Sequence, residues 1–107
     1  MREGRQERLT RLLLEARGVA YRKDGRGGWP DRIALGGHGH HVWVEHKTNR
    51  GRLTPAQRRV FPKLEAAGDV VVYGRGKTPE QIANEVEAHL GLEVQGPTPP
   101  FIIGDLL

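Results

Sequence analysis

The chain of 107 residues contains no cysteine. A disulfide framework and a thiolate-ligated metal site are therefore both excluded. Long apolar runs are missing as well, because no stretch approaches the ~20 apolar residues that a membrane-spanning helix needs. The charged residues 1–5 are not followed by an apolar segment of the kind found in signal peptides. From these absences we expect a protein of the cytoplasm.

Lysine and arginine are absent from residues 78–107, which carry 5 acidic residues and a net charge of −5. Residues 1–77 hold all 17 Lys and Arg but only 8 of the 13 acidic residues, which gives them a net charge of +9. A basic body of this kind favours a polyanionic partner such as nucleic acid. An arginine-rich surface that only keeps the protein soluble is the alternative.

The length predicts one domain, and the apolar patterns predict a small α/β protein. Leu9, Leu12, Leu13 and Ala16 recur at helical spacing and form the expected apolar face of the first helix. The predicted elements, in order, are a helix over about residues 5–17, strands over 19–21, 31–35 and 41–47, a helix that begins at Thr54, a strand over 69–73 and a helix that begins at Thr78.

Two capping boxes mark the starts of the later helices. Thr54 and Gln57 stand at the N-cap and N3 positions, with Pro55 at the first helical position between them. The segment Thr78-Pro79-Glu80-Gln81 repeats this pattern. Gly68 and Gly91 are the expected stops of these two helices.

One aspartate and an acid–lysine pair point to a chemical function. Asp31 follows a Gly-x-Pro turn and begins one strand, whereas Glu45 and Lys47 end the next strand. Side chains alternate along a strand, so Glu45 and Lys47 share a face, and a hairpin turn over residues 36–40 would bring Asp31 close to them. Two carboxylates beside a lysine suit a hard cation that activates water for phosphodiester cleavage. An exposed surface position is the alternative for each acid.

The pattern Gly28-Trp29-Pro30-Asp31, then Glu45-His46-Lys47, then Gly51-Arg52-Leu53-Thr54-Pro55-Ala56-Gln57 resembles the VRR-NUC family of the PD-(D/E)xK nuclease superfamily. The resemblance extends over roughly residues 7–73 and is to the small stand-alone members found in phage and bacterial genomes. It implies a restriction-endonuclease-like core over residues 1–95, in which a mixed central sheet is flanked by helices. It also implies hydrolysis of DNA phosphodiester bonds with Mg²⁺ or Mn²⁺.

For the site itself, the resemblance implies a metal ion held by Asp31, Glu45 and the backbone carbonyl of His46. Lys47 would orient or deprotonate the attacking water, or stabilise the charge that develops on the phosphate. Glu7 corresponds to a first-helix glutamate of the family and is a further catalytic and metal-binding candidate, with an exposed ion pair as its alternative. Gln57 corresponds to a family glutamine near the active site, and the capping box explains it equally well.

Several basic residues are candidate nucleic-acid contacts. Arg26, Arg50, Arg52 and Arg58 could each bind a backbone phosphate, and a solvated surface position is the alternative for each. Trp29 could stack on a base, although we expect it to pack beneath its own loop.

Three histidines, His38, His40 and His41, lie in or beside the predicted hairpin turn. Their spacing resembles a zinc site, but no cysteine assists them, and histidines in a turn are commonly solvated. We therefore expect them to be solvated.

These features together predict a metal-dependent DNA endonuclease. The resemblance implies similarity to Holliday-junction resolvases, hence a homodimer that acts on branched or junction DNA. A non-catalytic DNA-binding or scaffold protein on the same fold is the alternative. Residues 96–107 form a Pro-rich linker and an apolar tail, Phe101–Leu107, which we expect to pack at or beside the dimer interface.

Overall fold

The computed structural model describes residues 3–36, 39–46 and 53–91. Within these ranges the predicted order of elements is confirmed, although individual ends move by one or two residues. The elements are α1 (Glu3–Ala16), β1 (Ala20–Lys23), β2 (Arg32–Leu35), β3 (His41–Glu45), α2 (Pro55–Ala66), β4 (Val71–Tyr73) and α3 (Pro79–Gly91). None of the described helices is long and apolar enough to cross a membrane.

The four strands form one mixed sheet in the order β1-β2-β3-β4. β1, β2 and β3 are antiparallel neighbours, and β4 lies parallel to β3. The register places Arg32 opposite Val44, so the residue before β2 and the last residue of β3 meet at the same end of the hairpin. β1 continues past its predicted end through Arg22 and Lys23, whose exposed side chains suit an edge strand.

Helices cover both faces of the sheet, as the predicted fold class requires. α1 and α3 pack on one face, where alternate strand residues Ala34, Val42 and Val44 contribute to the core. α2 packs on the other face against Trp43 and Val71. Side chains alternate along each strand, so Trp43, which lies between Val42 and Val44, points to α2 while its two neighbours point to α1 and α3. The first core also contains Leu14, Tyr21, Val72, Ile82, Ala83, Val86 and Leu90, and the second also contains Phe61 and Leu64.

The predicted apolar face of α1 is wrong at Leu12 and Ala16, whereas Leu13 packs against the first core. Leu12 is 50% exposed and Ala16 is also exposed, whereas Gln6, Thr10 and Leu14 form the buried stripe at intervals of four residues. The two polar members can be buried because both are hydrogen-bonded: Thr10 Oγ1 donates to the carbonyl of Gln6, and Gln6 binds backbone groups of the loop after β4. Hydrogen-bonded polar groups thus occupy two of the core-facing positions of α1.

The capping boxes form as predicted. Thr54 Oγ1 accepts from the Gln57 N–H at 3.1 Å, and Gln57 Oε1 accepts from the Thr54 N–H at 3.0 Å. Thr78 and Gln81 repeat this reciprocal pair at the start of α3. Gly68, with φ of +97°, follows the C-cap of α2 and takes the left-handed conformation that ends the helix.

Replacement of Gly74 with alanine should destabilise the protein by about 1–3 kcal/mol, the usual cost of overpacking. A Cβ there would lie 2.6 Å from Gln6 Oε1 and 3.1 Å from Ile82 Cδ1. The Gln6 amide cannot swing away without losing its buried hydrogen bonds. Urea unfolding measures the loss. Gly25→Ala is the control, because a Cβ at Gly25 meets nothing within 4 Å, and equal stabilities of the two variants would contradict the expectation.

Candidate active site

Asp31 and Glu45 come together at the end of the β2–β3 hairpin. The Asp31 N–H donates to Glu45 Oε1 at 3.2 Å, and Asp31 Oδ2 accepts from the His46 N–H at 2.8 Å. The antiparallel register places them here, because Arg32 pairs with Val44 one step inside the hairpin. Glu45 is buried, with 1% of its surface exposed, and Asp31 is half-buried. The predicted pairing of these two acids is therefore present.

Gln57 joins this pair from α2. Its Nε2 donates to Glu45 Oε2 at 3.1 Å, while its Oε1 completes the capping box. The two explanations of Gln57 that the sequence leaves open are thus compatible, since one amide serves the helix start and contacts the candidate ligand. Gly28 allows the preceding loop to approach α2, because a Cβ there would lie 3.0 Å from the Ala56 carbonyl oxygen.

The His46 imidazole points to the opposite face, as strand alternation predicts. It is fully buried, with Nε2 at 2.5 Å from the Tyr21 hydroxyl and Nδ1 at 2.9 Å from Gln6 Oε1. Burial lowers the pKa of His46 to about 4. Burial likewise raises the pKa of the Tyr21 hydroxyl well above its usual value. Both groups are therefore neutral at physiological pH.

Glu7 lies on this opposite face as well. Its carboxylate accepts a hydrogen bond from Arg32 Nε, and the Arg32 guanidinium lies 5.7 Å from the centre of the Tyr21 ring. In this arrangement Glu7 is engaged in an ion pair with β2, as its alternative role expects, although its side chain is half-buried and not exposed.

The donor set suits a hard divalent cation. Within the described ranges, no three His, Asp or Glu side chains are grouped so that they could hold a metal ion. The ligands that the family resemblance implies are the carboxylates of Asp31 and Glu45 together with the backbone carbonyl of His46. Mg²⁺ commonly keeps several waters and binds through only one or two carboxylates, so this set fits it without a third acid.

Other predicted site residues are placed around this centre or fall outside the described ranges. The Arg26 guanidinium lies 3.7 Å above the Trp29 ring and pairs with Asp24. Trp29 packs against Trp43, with ring centres 5.3 Å apart, which confirms its role beneath the loop. Arg58 is exposed on α2. Lys47, Arg50, Arg52, His38 and the tail over residues 96–107 lie outside the described residues.

A second polar cluster surrounds the start of β3. A cavity of about 350 Å³ is lined by His40, His41, Asp69 and His89, together with Gly39, Val42, Gly68 and Val70. His41 Nε2 lies 3.1 Å from Asp69 Oδ1, and Trp43 Nε1 donates to Asp69 Oδ2 at 3.0 Å. Burial raises the pKa of Asp69, but these two partners outweigh it and hold the pKa below its usual range. His41 therefore has a carboxylate partner, which the turn composition did not indicate.

Sequence reasoning also missed Gln6 and Tyr21. Gln6 reaches the carbonyls of Gly74 and Lys77, about 70 positions further along the chain. No local sequence pattern indicates such a contact. The only local signal is the four-residue spacing of Gln6, Thr10 and Leu14, which places the three on one face of α1.

Comparison with known proteins finds no matching family model, no matching curated protein and no matching solved structure.

Proposed function

We propose that this protein is a metal-dependent DNA endonuclease that hydrolyses phosphodiester bonds. The observation that carries the proposal is the convergence of Asp31 and Glu45 at one end of the hairpin, where the Asp31 N–H donates to Glu45 Oε1 and Asp31 Oδ2 accepts from the His46 N–H. The sequence places Lys47 two positions after Glu45, so the order of acid, acid and lysine expected of a phosphodiesterase is complete.

Each residue has a distinct role in the proposed reaction. Asp31, Glu45 and the His46 carbonyl hold the cation. A bound Mg²⁺ or Mn²⁺ supplies Lewis acidity at the scissile phosphate and makes water a better nucleophile at neutral pH. Lys47 orients or deprotonates the attacking water. Gln57 keeps the Glu45 carboxylate in place through its Nε2 hydrogen bond.

The substrate that the charge distribution supports is DNA or another nucleic acid. Basic side chains are exposed on the loop before β2 and near the start of α2, at Arg26, Arg58 and Arg59. Such side chains contact phosphates without reading sequence. Selection of branched or junction DNA by shape therefore fits the chain, and coordinated cuts on two strands require a homodimer because each copy has one site.

A non-catalytic DNA-binding protein is the competing function. The hydrogen bonds that Asp31 and Glu45 make within the protein would also serve a purely structural role. The two functions differ in what a divalent cation does to stability, because only a metal-binding site links stability to the cation concentration.

Mn²⁺ should raise the melting temperature of the wild-type protein and leave that of Asp31→Asn unchanged. A ligand at 100 times its Kd stabilises by about 2.7 kcal/mol, which for a domain of this size is a rise of roughly 10 °C or more. The asparagine can still accept the His46 hydrogen bond, so the fold is kept while the charge is removed. Calorimetry at increasing Mn²⁺ measures the shift.

Glu65→Gln is the matched control, because it removes one negative charge from an exposed position on α2. It should respond to Mn²⁺ as the wild type does.

The same proteins are then incubated with duplex, flap, splayed-arm and four-way-junction DNA in Mg²⁺ or Mn²⁺. Absence of both cleavage and Mn²⁺ stabilisation in the wild type would reject the nuclease, and Zn²⁺ stabilisation that survives Asp31→Asn would point to the histidines instead.

A further inference from the structure

A chain of buried hydrogen bonds lies beneath the candidate site, on the face covered by α1 and α3. Gln6 Nε2 donates to the Gly74 carbonyl at 2.9 Å and to the Lys77 carbonyl at 2.8 Å. Gln6 Oε1 lies 2.9 Å from His46 Nδ1, and Tyr21 completes the chain at His46 Nε2. Gln6, Tyr21 and His46 are all at most 3% exposed.

The direction of every hydrogen bond in this network follows from the two carbonyl groups at which the network ends. Two carbonyl oxygens can only accept, so the Gln6 amide must present its NH₂ group to them and its Oε1 to His46. Oε1 can only accept, so His46 Nδ1 carries the proton. Nε2 of the neutral ring then has a lone pair, and the Tyr21 hydroxyl donates to it. The ring is thereby fixed as one tautomer in one orientation.

The backbone of the same residue contacts the candidate site. The His46 N–H donates to Asp31 Oδ2 at 2.8 Å. One residue earlier, the Glu45 carbonyl accepts from the Gly74 N–H at 2.7 Å, and the Gly74 carbonyl is one of the two that hold Gln6. The imidazole network and the site therefore share the backbone of residues 45–46.

We infer that His46 is a positioning residue, whose buried imidazole, held between Gln6 and Tyr21, fixes the end of β3 so that Glu45 and the His46 backbone stay aligned with Asp31. This inference rests on the proposed function. β3 ends at Glu45, so its ladder does not hold residue 46. The side chain therefore adds a second anchor to this peptide, beside the backbone hydrogen bond from Gly74 to Glu45, in the way that outer partners orient the ligands of metal sites.

His46→Phe keeps a planar ring but removes both hydrogen bonds. It should weaken Mn²⁺ binding and lower kcat by about 10- to 100-fold each, the usual cost of losing a group that orients metal ligands. KM for DNA should be unchanged, since the network is buried and cannot touch DNA. His46→Asn retains a donor near the Nδ1 position and should recover part of both losses. Mn²⁺ affinity is measured by calorimetric titration at a temperature where every variant is folded.

Thr10→Val is the control for a purely structural loss. It deletes another buried hydrogen bond of α1, from Thr10 Oγ1 to the Gln6 carbonyl, at a position that is 0% exposed. It should lower the melting temperature while leaving Mn²⁺ affinity and kcat at the wild-type values. A folded His46→Phe protein with wild-type Mn²⁺ affinity and kcat would overturn the inference, and equal metal-site losses in Thr10→Val would do the same.

Tyr21→Phe serves if His46→Phe fails to fold, because it removes only the hydroxyl at the far end of the hydrogen-bond network.

Nitrogen NMR of the unmodified protein supplies a further readout. The His46 ring should appear as the Nδ1–H tautomer, and addition of Mg²⁺ should shift the His46 amide signal but not that of exposed His89. The opposite tautomer, or a His46 amide that ignores Mg²⁺ while Asp31 responds, would overturn the inference. A wild type without any Mg²⁺ or Mn²⁺ response would instead reject the proposed function itself.

Discussion

Lys47→Ala should lower kcat for DNA cleavage by about 10²- to 10⁴-fold, the contribution expected of a group that transfers or positions a proton. DNA affinity should be largely retained, because Lys47 is one of 17 Lys and Arg in the chain. A residue that acts only on the attacking water affects the transition state and not the bound substrate. Single-turnover cleavage in Mg²⁺ measures the rate of the chemical step. A separate binding titration in Ca²⁺ measures the affinity for DNA.

Lys63→Ala is the control, since Lys63 is exposed on α2. It removes the same charge and should leave kcat unchanged. Full cleavage by Lys47→Ala would remove Lys47 from the mechanism, and a parallel loss of DNA affinity and rate would make it a binding residue.

The free energy of unfolding should fall by up to about 3 kcal/mol between pH 6.5 and pH 4, at 1.36 kcal/mol for each unit of pKa difference. Burial lowers the pKa of His46 from its ordinary value of 6.5 to about 4. In this interval the unfolded chain binds a proton at His46 that the folded protein excludes, so acid favours unfolding. The stabilisation is complete above pH 6.5 and is lost as the pH falls towards 4. Urea unfolding in EDTA measures it without a metal ion.

Carboxylates also titrate near the acidic end of this interval. The His46 contribution is therefore obtained by subtracting the pH dependence of stability of a His46 variant from that of the wild type. His46→Asn cannot gain a proton there, and its stability should depend less steeply on pH than that of the wild type. His89→Gln, at an exposed histidine on α3, should keep the wild-type slope. Identical slopes in wild type and His46→Asn would contradict the expectation.

Local signals in the sequence were sufficient for the elements and their order. The capping boxes at Thr54 and Thr78 and the helix stop at Gly68 depend on residues within one turn of each other, and all three are present in the fold. The face of α1 could not be obtained this way. Gln6 and Thr10 are buried because of partners that folding supplies, so hydrophobicity alone did not identify these two positions as core-facing.

In the candidate site, too, the contacts between residues close in sequence were predictable and those between distant residues were not. The meeting of Asp31 and Glu45 follows from a hairpin, which pairs residues only 14 positions apart, and is therefore predictable from alternation and turn composition. The contact between Gln6 and Gly74 spans 68 positions and depends on the parallel placement of β4 beside β3. Sequence periodicity has no information on such a contact, so the polar network under the site was not foreseen.

The double use of Gln57 restricts how this position can change by mutation. Glutamate would preserve the acceptor needed by Thr54 but would set a second negative charge against Glu45, in place of the donor that now meets Glu45 Oε2. Asparagine offers both atom types on a side chain one carbon too short to reach both partners. Each of these two substitutions thus gives up either the helix start or the carboxylate contact, so of the three residues only glutamine serves both partners.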